Sequence, residues 1–218
     1  TINEDSSAKV IITAVDYNGD SFSLSAKSSS NNITLSISDD SLSIVPNSNW
    51  NGTSTISVYA TDGGLVDTSS FTLTVEAIND PPSLSIADIT TNEEVEKIIT
   101  MGKRDVDEDA LTYTAGSDTS AVGLTVSSDT LKLTPATNYT GTAKITVVVS
   151  DNALKDTTSF NFKVININDS PVISTLSDVT INEDETGTAT LSATDADGDA
   201  ITYSAVSDTN AVSISVSS

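Results

Sequence analysis

The chain has 218 residues, with 31 Asp and Glu, nine Lys and Arg, no His and no Cys, for a formal net charge of -22. Without Cys or His there is no disulfide, no thiolate nucleophile, no Ser-His-Asp triad and no ordinary zinc or copper site. The charge repels phosphate backbones, which argues against nucleic-acid binding, and disfavours an anionic membrane surface; it suits a hard cation bound through oxygen.

Ser and Thr supply 67 residues, nearly a third of the chain. Thr, Val and Ile suit strands, while Ser, Asn, Asp and Gly suit turns, so the composition reads as all-β. No apolar run approaches the roughly 20 residues needed to span a bilayer, so direct membrane insertion is not expected. A Cys-free all-β chain fits a bacterial surface protein better than a small animal ectodomain. The expected location is therefore extracellular, at the bacterial cell surface.

The pattern repeats. Ile2-Asn3-Glu4-Asp5 recurs as Asn92-Glu93-Glu94 and as Ile181-Asn182-Glu183-Asp184. Ile78-Asn79-Asp80-Pro81 recurs as Ile167-Asn168-Asp169-Ser170 with Pro171 following. Pro46 and Pro135, Gly52 and Gly141, Asp62 and Asp151, and Phe71 and Phe160 are all 89 apart. The reading is three copies of a unit of about 90 residues. Residues 1–80 form a first copy lacking its opening strand, 81–169 a complete second copy, and 170–218 the N-terminal half of a third. Every copy is acidic, so the charge is not a separate tail. Half a sandwich cannot cover its own core, so the chain reads as a piece of a longer array.

Within each copy the hydrophobic period is two. In chain order, Ile33, Leu35 and Ile37 alternate with Thr34 and Ser36, and Phe71, Leu73 and Val75 with Thr72, Thr74 and Glu76. Phe160, Phe162 and Val164 alternate with Asn161, Lys163 and Ile165. In the third copy, strands are expected over Thr188 to Thr194 and over Val212 to Val216. Such alternation marks half-buried strands. About seven short runs per copy predict tandem Greek-key β-sandwich repeats of immunoglobulin or cadherin-like type. The Pro-x-x-Asn-aromatic-x-Gly segments, Pro46 to Gly52 and Pro135 to Gly141, place Trp50 and Tyr139 as core plugs, with a sugar-stacking platform as the alternative.

Three stretches carry a family resemblance. Ala193-Thr194-Asp195-Ala196-Asp197-Gly198-Asp199-Ala200-Ile201-Thr202-Tyr203 resembles the A-x-D-x-D-x-G segment of cadherin repeats. Ala77-Ile78-Asn79-Asp80-Pro81-Pro82 resembles their linker. Leu131 to Gly141, with Val149-Ser150-Asp151, resembles bacterial Ig-like and VCBS-type tandem repeats. The resemblance implies a large surface adhesin or secreted multidomain protein whose repeats act as extenders and bind Ca²⁺ at or near their junctions. Its partners would be the neighbouring repeats of the same chain, with a cell-surface glycan or protein engaged through other domains.

Ca²⁺ takes about six to eight oxygens, more than one turn readily supplies. In every copy a Glu precedes an Asp by 12 residues: Glu4 and Asp16, Glu93 and Asp105, Glu183 and Asp195. One strand between them puts the two at opposite poles, so the Glu of one copy can face the Asp pair of the next, as in cadherins. The expected set at the first junction is Glu4, Asn79, Asp80, Asp105, Asp107 and Asp151. At the second it is Glu93, Asn168, Asp169, Asp195 and Asp197. Asp16, Asn18 and Asp62 form the matching set at the start of the first copy. Ala77 and Asn166 stand where cadherin linkers carry an acid, so one or two ions per junction are expected, not three. Asp-x-Asp-Gly-Asp is also ordinary turn chemistry. An EF-hand starting at Asp195 fails because position 12 is Val206. No nucleophile motif occurs, so catalysis is not expected. The alternatives to a calcium-bound extender are a glycan- or protein-binding Ig-like module and a passive spacer.

Overall fold

The computed structural model describes residues 1–102 and 104–217, and these residues form strands, turns and loops with no helix. The first copy forms β1 (Ile2–Asn3), β2 (Ala8–Ile11), β3 (Ser23–Ser28), β4 (Ile33–Ser38), β5 (Ser41–Pro46), β6 (Gly52–Thr61) and β7 (Val66–Glu76). They make two sheets, ordered β1-β7-β6-β3 and β2-β5-β4. The second copy repeats this with β8 (Ile89–Asn92), β9 (Lys97–Thr100), β10 (Thr112–Ser117), β11 (Val122–Ser127), β12 (Thr130–Pro135), β13 (Gly141–Ser150) and β14 (Lys155–Ile165), so the first copy does not lack the opening strand of the second: β1 is its two-residue counterpart of β8. Its sheets are ordered β10-β13-β14-β8 and β11-β12-β9. Sequential strands switching between sheets, with the first parallel to the last, give the Greek-key immunoglobulin-type sandwich.

The alternation read from the sequence is the burial observed. Ile33, Leu42, Ile44, Ile56, Leu73 and Val75 are buried together in the first sandwich, with Trp50 and Phe71 packed against them. In the second, Val122, Leu131, Leu133, Ile145, Val147, Phe160, Phe162 and Val164 are buried. Asn161, Lys163 and Ile165 between them face outward. At roughly 25 cal/mol per Å² of apolar surface removed from water, this burial is the main favourable term holding each sandwich.

The chain falls into two compact units. One comprises Thr1–Ser83, Lys103–Thr112 and Val149–Asp156, and the other Leu84–Gly102, Tyr113–Val148 and Thr157–Ser218. The first unit therefore contains both the linker after β7 and the acidic loops of the second copy.

The third copy departs from expectation. The strand predicted over Thr188 to Thr194 is reduced to β16 (Ala193–Thr194), paired antiparallel with β15 (Val172–Ile173). No strand forms over Val212 to Val216. The reason is pairing: alternating residues form a strand only with a neighbour and an opposing face to bury against. Here Val172 is 67% exposed and Val206 92%.

Trp50 packs against the core of the first sandwich, and Tyr139 is half-buried at the matching place in the second. In each motif the Asn before the aromatic takes a left-handed turn, φ 58° at Asn49 and 55° at Asn138. The ring then folds over the closing glycine. A Cβ on Gly52 would lie 3.3 Å from the Trp50 ring, and one on Gly141 would lie 3.4 Å from the Tyr139 hydroxyl. Both glycines also hold φ near the limit of the left-handed region, 138° and 139°. Gly52→Ala and Gly141→Ala should each destabilise by about 1–3 kcal/mol, read as a lower urea midpoint at unchanged slope.

Asp88 pins the start of β8 to β14: its two carboxylate oxygens accept from the Asn161 backbone N–H at 2.7 Å and the Asn161 side-chain amide at 3.0 Å. These bonds, the backbone one first, lower its pKa. A lowered carboxylate contributes stability above its unfolded value, near about 3.9, and loses it as pH falls through the folded value. The stability difference between wild type and Asp88→Ala should therefore be full at neutral pH and close in acid. A difference constant with pH would contradict the charge-assisted fork.

Candidate cation sites at the repeat junctions

Three acidic loops share one local geometry. Asp105 Oδ1 accepts the backbone N–H groups of Asp107 and Asp109, both at 3.1 Å. Asp195 Oδ1 accepts those of Asp197 and Asp199, both at 3.0 Å. Asp16 Oδ1 accepts those of Asn18, Gly19 and Asp20 at 3.0, 2.8 and 3.0 Å. The turn chemistry expected of Asp and Gly thus occupies one oxygen of the leading Asp. The other oxygen of Asp105 is buried without a hydrogen-bond partner.

The first junction lies wholly within the first unit. Glu4 continues β1: its backbone N–H donates to the Glu76 carbonyl at 2.9 Å, fixing it beside the end of β7. Its Oε1 accepts the Ile78 N–H at 2.6 Å, and the side chain is only 5% exposed. The Asp80 N–H donates to Asp107 Oδ2 at 2.7 Å. The Asn79 amide donates to Asp151 Oδ2 at 2.9 Å and to the Asp80 carbonyl at 3.2 Å. Asp151 is 7% exposed, and its Oδ1 accepts from Ala153 and Leu154 at 2.6 Å each. All six residues expected at this junction are therefore gathered around the linker.

The second junction lies within the second unit and repeats the pattern. Glu93 donates its N–H to the Ile165 carbonyl at 2.9 Å and accepts the Ile167 N–H on Oε1 at 2.7 Å. The Asp169 N–H donates to Asp197 Oδ2 at 2.5 Å, and the Asn168 amide to the Asp169 carbonyl at 3.0 Å. An open cleft lined by Asn138, Asp169, Ser170, Thr194 and Asp195 connects this cluster to solvent.

The electrostatics are unbalanced. Burial raises the pKa of Asp80, and the negative charges of Asp5, Asp107, Glu4 and Asp105 add to it. Burial likewise raises Asp169, with Glu93, Asp197 and Asp195 adding. Asp80 Oδ2 and Asp169 Oδ2 are buried without a hydrogen-bond partner. Asp151 and Asp197 go the other way. Asp151 is lowered chiefly by the Asn79 amide, and Asp197 by the Asp169 N–H and then the Asn166 amide.

The set at the start of the first copy is looser. Asp16 and Asn18 share their turn, while Asp62 Oδ1 accepts from Gly64 and Leu65 at 2.8 Å each, which lowers its pKa. Asp62 and Asp16 each accept backbone N–H groups of their own turn.

Two contributors escaped the sequence reading. Asp5 adds to the charge around Asp80 and caps the Asn49 N–H at 3.1 Å from a left-handed turn, φ 56°. Its recurrence as Glu94 and Asp184 was the available signal. Asn166, noted only as a missing acid, donates its amide to Asp197 Oδ1 at 2.6 Å.

A hard cation fits these residues: buried carboxylate oxygens without partners, surrounded by like charges, are what such an ion neutralises. Glu4, Asn79, Asp80, Asp105, Asp107 and Asp151 would hold it at the first junction. Glu93, Asn168, Asp169, Asp195 and Asp197 would do so at the second. Among the described residues, no three carboxylates are drawn close enough to make a finished cage.

The strand order and the repeated junction define tandem immunoglobulin-type modules. The chain belongs to the bacterial Ig domain family, whose profile matches residues 1–74 and 79–163. An alignment of 112 positions that covers 46% of the chain is 35% identical to chitinase A of Pseudoalteromonas piscicida and spans 13% of that protein. Among solved structures, human protocadherin-24 EC1-2 is 11% identical over 72% of this chain and 87% of its own, with a TM-score of 0.44. The endo-fucoidan hydrolase MfFcnA4 of glycoside hydrolase family 107 is 20% identical over 74% of this chain and 26% of its own, with a TM-score of 0.34. Neither score reaches 0.5, and the fold rests on the strand order and the family match.

Proposed function

We propose that the chain is a non-catalytic, calcium-binding extender segment of a large bacterial extracellular or surface adhesin. Ca²⁺ at the repeat junctions stiffens the array and so carries a distal adhesive domain away from the cell. The observation that carries this reading is the trio of orphaned oxygens, Asp80 Oδ2, Asp105 Oδ2 and Asp169 Oδ2, within clusters of other carboxylates. No Lys or Arg ion pair to a junction carboxylate occurs among the described residues; the pair that does form, Lys132 with Glu96 at 2.5 Å, joins β12 to the residue before β9. Extracellular calcium modules often bind at about 10⁻⁴–10⁻³ M, so millimolar calcium outside the cell would fill such sites.

The likeness to part of a chitinase favours a second setting, a secreted carbohydrate-active multidomain protein in which the repeats are spacers or glycan-binding modules. Small-angle scattering of residues 1–218 in millimolar calcium and in chelator tests the extender. A longer, stiffer particle in calcium is expected. Unchanged scattering in both, with binding on a glycan array, would move the assignment to the second setting.

A further inference from the structure

We infer that the linker is latched to both flanking repeats by its own backbone amides, so that it holds its course before any cation arrives; this rests on the extender reading above. The pattern occurs twice, independently. At the first junction the Ile78 N–H is held by Glu4 of the first copy and the Asp80 N–H by Asp107 of the second. At the second junction Ile167 is held by Glu93 and Asp169 by Asp197. The two gripped amides lie two residues apart on the linker, and each is held by a carboxylate from a different flanking repeat.

Each grip has a chemical consequence. A backbone N–H to a carboxylate is a charge-assisted hydrogen bond, stronger than a neutral one. It consumes one oxygen: Oε1 of Glu4, Oδ2 of Asp107, and by the same logic Oε1 of Glu93 and Oδ2 of Asp197. Glu4, Glu93 and Asp107 then keep a second oxygen for a cation, whereas Oδ1 of Asp197 already accepts the Asn166 amide. The linker thus acts as a positioning element that sets the carboxylates one oxygen at a time, and the cation stiffens a junction already ordered. It does not have to organise a slack one.

Amide hydrogen exchange of residues 1–218 in chelator, resolved by residue, tests this. The Ile78, Asp80, Ile167 and Asp169 amides should exchange on the order of tenfold or more slowly than unstructured peptide. Glu4→Gln and Asp107→Asn keep a carbonyl acceptor without the charge. They should retain slowed exchange at Ile78 and Asp80 while weakening calcium binding. Glu4→Ala should release Ile78 alone, and Asp107→Ala should release Asp80 alone. Exchange at the free-peptide rate in chelator at these four amides, with the β6 and β13 amides still protected, would overturn the latch. Slow exchange in a protein that ignores calcium would leave the latch standing and remove the extender reading. If an alanine variant does not fold, the wild type and the Gln and Asn variants still decide.

Discussion

Residues 1–218 should melt at a distinctly higher temperature in millimolar calcium than in chelator at matched ionic strength. A ligand at a hundred times its Kd that binds only the folded state adds about 2.7 kcal/mol. For a chain of this size, each kcal/mol moves the melting point by roughly 2–4 °C, so one ion is worth roughly 5–10 °C. The matched salt matters because a chain of net charge -22 gains from any screening cation. A site-bound ion has a further signature. Mg²⁺ requires tighter octahedral geometry and sheds water reluctantly, so at equal concentration it should shift melting less. Equal shifts by Mg²⁺, Ca²⁺ and matched NaCl would reduce the acidic loops to turn residues and make the chain a passive spacer.

Asp80→Asn should change stability in opposite directions with and without calcium. In chelator the Asp80 carboxylate is destabilising, being buried first and then faced by Asp5, Asp107, Glu4 and Asp105. Asn keeps the shape and removes the charge, so the chelated variant should be more stable than wild type. In calcium the order reverses, because a ligand oxygen is lost, and calcium affinity should fall on the order of 10–100-fold. The pH dependence follows the same sign. A carboxyl whose folded pKa is raised contributes stability below its unfolded value, near about 3.9, and loses it as pH rises through the folded value. In chelator, wild type should therefore lose stability across that window and Asp80→Asn should lose less. Urea midpoints against pH, with and without calcium, read all three effects. Equal destabilisation in both media would assign Asp80 a merely structural role. Asp169→Asn, in the matching position at the second junction, should behave alike, since Asp169 is raised by burial and by Glu93, Asp197 and Asp195.

Side-chain patterning made most of the fold legible. Phe160, Phe162 and Val164 are buried and their alternating neighbours exposed because a strand in a sandwich has one wet face. The same alternation misled at Val212 to Val216, because a period of two states which face a strand would bury and not whether a partner is there to pair with. The junctions were legible where they depend on residue type and spacing. The 12-residue interval places Glu4 and Asp105 on elements that both reach the Asp80 linker. What the sequence does not carry is backbone bonding. The grip of Ile78 and Asp80 on Glu4 and Asp107 comes from N–H groups that every non-proline residue possesses. The role of Asn166 went unread for a related reason: as an amide it lacks the acid's charge, yet it donates to Asp197, which an acid would repel.

Equilibrium dialysis of residues 1–218 against calcium, from micromolar to millimolar, tests the central claim most directly. Saturable binding of at least one ion per junction is expected, with the first junction's share lost in Asp80→Asn/Asp105→Asn and the second's in Asp169→Asn/Asp195→Asn. Calcium retention no greater in the wild type than in the variant with all four substitutions would contradict it.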